Sequence, residues 1–161
     1  MRVSELVNED ASLVSRRCWS DAGVYELEKR GIFRRAWLFL GHESQIRNPG
    51  DFVQAYMCET PVILARGMDG GLHASVNSCT HRGLPVCRAD HGNTKRFICP
   101  YHNWSYSVEG NLVTIPQESA VANKPDKAVL GLKQVPRVAS WRGMVFGCFD
   151  ENVESCLLYT S

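Results

Sequence analysis

Hydrophobic and polar positions follow a helical period up to about residue 37 and a strand-like pattern beyond it. Ser20-Asp21 offers a helix cap, and residues 22–30 suit a helix with Val24 and Leu27 three apart on one apolar face. Gly31 interrupts this run, and Ile32-Phe33 with Ala36-Trp37 continue the apolar face as a second, shorter helix. The two together predict a stripe that docks on a sheet. After Trp37, strands are predicted over 52–57, 61–66, 72–76, 96–98, 104–108, 112–115, 132–135 and 144–149. Asn48-Pro49-Gly50-Asp51 reads as a turn, and Met68-Asp69-Gly70-Gly71 and Glu109-Gly110-Asn111 read as hairpin connections. Residues 116–126 are polar and read as loop. Short strands with frequent turns predict a mostly β protein, an antiparallel sandwich or barrel with a helical lead.

Composition narrows the function classes. The chain has 161 residues, 44% of them apolar, enough for one domain with its own core. Eighteen Lys and Arg balance 17 Asp and Glu, leaving a net charge of +1. That balance carries no electrostatic footprint for nucleic acid, and no block of like charge suggests an anionic membrane surface. No apolar run approaches the roughly 18 residues of a membrane span. The first ten residues are polar, with Glu5, Glu9 and Asp10, and lack the basic start and apolar stretch of a secretion signal. A cytoplasmic location is therefore expected. Seven Cys, an odd number without regular spacing, read as thiols or metal ligands in a reducing compartment. Cys18, Cys58, Cys87 and Cys148 read as loop thiols, and His42, His73 and His91 as structural or exposed histidines.

Two ligand pairs stand out in turn-rich sequence. Cys79-Thr80-His81 is followed after 17 residues by Cys99-Pro100-Tyr101-His102. Two thiolates and two imidazoles suit zinc or an iron–sulfur cluster. Zinc sites of this composition usually pair like with like, Cys near Cys and His near His. Here each pair joins unlike ligands, one of them across a single residue. That spacing is tight for one tetrahedral ion and natural when each loop spans two metals. The reading is a [2Fe–2S] cluster with Cys79 and Cys99 on one iron and His81 and His102 on the other, the Rieske arrangement. Two neutral imidazoles in place of two thiolates make the cluster less negative and raise its potential above that of a four-Cys cluster. Gly83, Pro85 and Pro100 would build tight loops around it. Trp104 and Tyr106 either cover the site or simply fill the core.

The flanking residues carry a family resemblance. Cys79-Thr80-His81-Arg82-Gly83 and Cys99-Pro100-Tyr101-His102-Asn103-Trp104 resemble the Rieske domain of aromatic-ring-hydroxylating oxygenase large (α) subunits. Residues 32–37 and 41–46, Pro49-Gly50-Asp51-Phe52 and Gly143-Met144-Val145-Phe146-Gly147 fit as well, so the resemblance covers roughly residues 20–150. Asn103 stands where the family usually has Gly, and Asn accepts positive φ better than most residues. Respiratory-type Rieske proteins carry extra Cys that would fall at Leu84 and Tyr101, and both are absent. The resemblance implies a Rieske-type antiparallel β-sandwich with two cluster-binding loops behind a short helical segment. It divides the chain into a lead (1–37), a Rieske domain (38–150) and a truncated or non-native tail (151–161). It implies electrons arriving from a ferredoxin or an NAD(P)H-dependent reductase and passing to a mononuclear Fe(II) in a C-terminal domain outside this sequence. There O2 would hydroxylate an aromatic substrate. It also implies α subunits assembled as trimers, sometimes with β subunits. Within this chain no residue is expected to be catalytic. Two other readings compete: a stand-alone Rieske ferredoxin, which would not need the helical lead, and a zinc-stabilised interaction module.

Overall fold

The structure, a computed structural model, describes residues 5–120 and 126–155. Two short helices, α1 (Arg17–Ser20) and α2 (Ala22–Glu28), lead into a π-helical turn over Lys29–Phe33. Asp21 caps α2, its carboxylate accepting from the backbone N–H of Gly23 and Val24. Ten strands follow: β1 (Leu38–His42), β2 (Asp51–Met57), β3 (Thr60–Arg66), β4 (Leu72–Val76), β5 (His91–Asn93), β6 (Arg96–Ile98), β7 (Ser105–Ser107), β8 (Leu112–Thr114), β9 (Arg137–Trp141) and β10 (Met144–Cys148).

The strands form three antiparallel sheets, ordered β1-β10-β9, β4-β3-β2-β5 and β6-β7-β8. The four-stranded sheet is covered on both faces. Phe52, Ile63 and Ala65 join one core with Phe97, Tyr106 and Leu112 of the β6-β7-β8 sheet. Their chain neighbours Val53, Val62 and Leu64 point the other way, into a second core with Leu40 and Val145 of the β1-β10-β9 sheet. Side chains alternate across a strand, so a strand buried on both faces needs an unbroken apolar run. Pro61-Val62-Ile63-Leu64-Ala65 is such a run. The sandwich thus has two fillings, and the first contains Cys79, Cys87 and Cys99.

Three expectations are corrected. Residues 132–135 form no strand. They lie extended beside β4, with Val76 N–H donating to Lys133 O and Val135 N–H to Ala74 O, but the ladder amounts to one bridge, Ser75 to Gln134. Pro136, lacking an N–H, follows at once. The lead does not present a continuous apolar stripe: Val24 is buried, whereas Leu27 and Ile32 are more than half exposed. The lead instead docks through polar contacts on the β2–β3 hairpin tip, where Tyr25 OH lies 3.3 Å from Cys58 Sγ and Lys29 pairs with Glu59 at 2.8 Å. Among the presumed loop thiols, Cys18 sits in α1 and Cys148 is fully buried on β10. The polar stretch 116–126 contains a 3-10 turn at Glu118–Ala120, while 121–125 and the end of the tail, 156–161, lie outside the described residues. Among the described residues no helix is long and apolar enough to cross a membrane.

Candidate metal centre

The two Cys/His segments fold into equivalent loops. The first leaves the end of β4. Cys79 N–H donates to Leu84 O at 2.9 Å, and Gly83 N–H donates to Cys79 O at 2.7 Å. The second joins β6 to β7. Cys99 N–H donates to Trp104 O at 2.8 Å, and Asn103 N–H donates to Cys99 O at 2.9 Å. In both, the residue four beyond Cys takes the left-handed conformation: φ is +76° at Gly83 and +57° at Asn103. Asn103 therefore does the work of the glycine in the matching loop, as expected for a residue whose short polar side chain tolerates that region.

This geometry sorts the ligand candidates by depth. Cys79 and Cys99 are 3% and 2% exposed, inside the first core, while His81 is exposed and His102 half-buried. The rings of His81 and His102 meet edge to face with centroids 4.5 Å apart. Trp104 stacks on His81, its ring parallel within 6° at 4.9 Å, and Tyr101 leans on His102 at 3.8 Å. Arg82 lies over the Tyr101 ring with its Cζ 5.7 Å from the centroid. Tyr106 is fully buried, and its hydroxyl lies 3.1 Å from Cys79 Sγ. Burial, with the neighbouring Cys79 thiol, pushes the Tyr106 phenol up to about 12, so it stays a hydrogen-bond donor. Trp104 and Tyr106 both cover the site and pack in the core, so the two readings of these aromatics coincide.

The residues fit a metal cluster on two observations. His102 Nδ1 is buried and has no hydrogen-bond partner, a costly state for a polar atom unless another group takes its lone pair. Burial, reinforced by the neighbouring His81 and Arg82, holds His102 below its ordinary pKa, a shift toward the neutral form that a metal requires. Among the described residues no group of three or more His, Cys, Asp or Glu is gathered around one point.

The remaining histidines and thiols lie apart from this chemistry. His42 caps a 3-10 turn at Glu43–Gln45, His73 bonds Asp69 at 3.1 Å, and His91 is exposed on β5. The Cys87 thiol donates to Ala89 O, and burial pushes its pKa up, so it remains protonated. Two residues escaped sequence reasoning. Asn77 is 1% exposed and makes four side-chain bonds: Nδ2 donates to Gln54 Oε1 and Cys87 O, and Oδ1 accepts from the N–H of Val86 and Cys87. It fastens the far side of the first loop. Thr80 bonds both Tyr106 and Leu130. Neither residue lies in a local pattern that announces the role, since their partners are up to 50 residues away.

Comparison with known proteins agrees with this geometry. A family model described as the Rieske [2Fe-2S] domain matches residues 36–135. The chain is 42% identical over 153 residues to the benzene 1,2-dioxygenase subunit alpha of Pseudomonas putida, covering 93% of this chain and 33% of that protein. It is 41% identical over 152 residues to the biphenyl dioxygenase subunit alpha of Paraburkholderia xenovorans, covering 90% and 33%. A solved structure of naphthalene 1,2-dioxygenase with indole bound in the active site superposes with a TM-score of 0.91 at 38% identity, over 97% of this chain and 35% of that one. The chain thus spans about a third of the length of the relatives it matches.

Proposed function

This chain belongs to the Rieske [2Fe-2S] domain family, and from that membership we propose that it is the electron-transfer part of the α subunit of an aromatic-ring-hydroxylating oxygenase. The reading rests on the paired loops, which bury both Cys thiols and leave His81 exposed beside a half-buried His102, whose Nδ1 is buried without a partner. In it, Cys79 and Cys99 hold one iron and His81 and His102 the other. When bound, a Rieske cluster supplies one-electron redox chemistry at a potential above that of a four-Cys cluster.

The chain's own residues set the conditions for that chemistry. As cluster ligands, Cys79 and Cys99 would bring negative charge into a core closed to solvent, where a nearby hydrogen-bond donor has its largest effect. Tyr106 supplies such a donor beside Cys79 Sγ. Trp104 fixes the plane of the His81 ring by stacking on it and excludes water from that side. His81, exposed at the tip, gives a partner an approach through one imidazole. Closing each loop by backbone bonds keeps the four side chains in place across a change of charge, which lowers the reorganisation that electron transfer requires.

Electrons would come from a ferredoxin or an NAD(P)H-dependent reductase. They would leave for a mononuclear iron(II) site in the rest of the polypeptide, which would oxygenate an aromatic compound such as those named for the relatives. The assembled enzyme would contain further α subunits and, in some members, β subunits. The enzyme would work in a reducing compartment, the cytoplasm, as the odd number and irregular spacing of the seven Cys suggest.

The test is the iron, labile-sulfide and zinc content of anaerobically purified protein, with an EPR spectrum after dithionite reduction. Two irons, two sulfides and a Rieske-type signal are expected. A colourless protein with one zinc and no sulfide would defeat the reading. A cluster-bearing protein with Cys79→Ala or Cys99→Ala would remove those two residues from the ligand set.

A further inference from the structure

The hydrogen atoms around Tyr106 can be counted. The Tyr106 hydroxyl oxygen accepts from Thr80 N–H at 3.2 Å. With Cys79 as a metal-bound thiolate, its own single hydrogen faces two acceptors at nearly equal distance, Cys79 Sγ at 3.1 Å and Thr80 Oγ1 at 3.0 Å. Thr80 Oγ1 also has one hydrogen, and that one is committed: Leu130 O lies 2.7 Å away, and a carbonyl can only accept. With its hydrogen on Leu130, Thr80 Oγ1 meets the tyrosine as an acceptor. The hydrogen of Tyr106 is therefore divided between the sulfur of Cys79 and the oxygen of Thr80.

We propose that Thr80 is a positioning residue that governs how much of the Tyr106 hydrogen reaches Cys79 Sγ, and thereby the reduction potential of the bound cluster. The proposal rests on the reading of Cys79 as a ligand. Reduction adds negative charge that the ligand sulfurs share, and a hydrogen bond to such a sulfur stabilises the reduced form and raises the potential. By competing for that hydrogen bond, Thr80 holds the potential below the value Tyr106 alone would give. The backbone N–H of Thr80 keeps the tyrosine oxygen in place whatever side chain residue 80 carries. The outer end of the chain, Leu130, follows a 3-10 turn at Lys127–Val129, so the position of that segment also feeds into the sulfur's hydrogen bonding.

The experiment is a redox titration of cluster-loaded full-length chain, followed by EPR, on Thr80→Val, Thr80→Ala, Thr80→Ser, Tyr106→Phe and the double variant Thr80→Val/Tyr106→Phe. Removing the hydroxyl with Val or Ala leaves the sulfur as the sole acceptor. The potential should rise by the equivalent of about threefold in the reduction equilibrium constant, about 30 mV at 59 mV per tenfold for one electron. Thr80→Ser should match the parent, and Tyr106→Phe should lower the potential. In the Tyr106→Phe background, Thr80→Val should have no effect. An unchanged or lowered potential in Thr80→Val and Thr80→Ala overturns the proposal, as does a shift that persists without the tyrosine hydroxyl. Failure of both variants to assemble a cluster overturns it too, because a group that only divides a hydrogen is dispensable for assembly. Retention of the full cluster signal by Cys79→Ala would instead defeat the ligand reading, an outcome separate from all of these.

Discussion

A single buried amide carries the first loop. Asn77 meets four partners with its side chain, and both N–H groups it receives, those of Val86 and Cys87, lie in buried chain. Asn77→Leu keeps the branched shape and removes the one oxygen that accepts both bonds, leaving two donors out of water. The expected loss is about 2–4 kcal/mol of unfolding free energy, read from a urea or guanidinium titration. A loss under about 0.5 kcal/mol would mean that the loop re-forms around other partners. Nothing in the sequence distinguishes Asn77 from any asparagine at a strand end, because its bonds are made by chain 9, 10 and 23 residues away. Cys79, His81, Cys99 and His102 stand out in the sequence as ligand candidates for the opposite reason: ligand spacing is local, and the unlike pairing is itself the signal. What spacing leaves open is depth, and only the fold buries the thiols while leaving His81 exposed.

Between residues and the whole lie the turns and clasps that hold elements together. The left-handed positions of the two loops predict opposite outcomes for two substitutions. At Gly83 an added Cβ would meet nothing closer than Ser78 Oγ at 3.8 Å, so Gly83→Ala is strained by conformation alone, by about 1–2 kcal/mol. Asn103→Gly relieves that conformation in the folded state and loosens the unfolded chain, leaving stability within about 0.5 kcal/mol of the parent. Thermal melts of both variants decide the matter, and equal destabilisation would break the equivalence of the loops. Glu43 ties the turn after β1 to two strands, bonding Arg66 of β3 at 2.8 Å and Ser140 of β9. Those hydrogen bonds, Ser140's first, hold its carboxyl below the ordinary 4.5. A depressed folded value means that stability is present above the unfolded pKa and lost as pH falls through the folded one. Glu43→Gln should therefore destabilise near neutral pH and differ little from the parent at acid pH; a gap that stays constant with pH would place the effect in packing. The hairpins were predictable from Met68-Asp69-Gly70-Gly71 and Glu109-Gly110-Asn111, which carry their own turn chemistry. β5 and β9 were not. His91-Gly92-Asn93 is exposed at all three positions, and Arg137-Val138-Ala139-Ser140-Trp141 shows no clean alternation, so their pairing comes from neighbours already in place.

The molecule as a whole divides into two cores on opposite faces of one sheet. The first contains Cys79 and Cys99, and the second contains neither. Removing the cluster should therefore loosen one face and spare the other. Hydrogen–deuterium exchange on cluster-loaded and chelated protein should lose protection around 77–87 and 97–106 and keep it across 38–42, 53–64 and 144–148. Uniform loss over the chain would mean that the two faces unfold as one. This division was hidden in the sequence, where residues 61–65 read simply as apolar. Both faces of a strand can be apolar in many folds, and the register that sends Ile63 one way and Leu64 the other is a property of the assembled sheets.

The same assembly brings the two ends of the β fold together. β1 pairs with β10, Arg35 reaches Asp150 at 3.4 Å, and Trp37 Nε1 donates to Glu154 O at 2.8 Å. A unit entered and left at one point is a detour in a polypeptide, not a segment of its route. Its geometry is that of an insert, with the surrounding backbone rejoined across a short gap and the Trp37 clasp closing the seam.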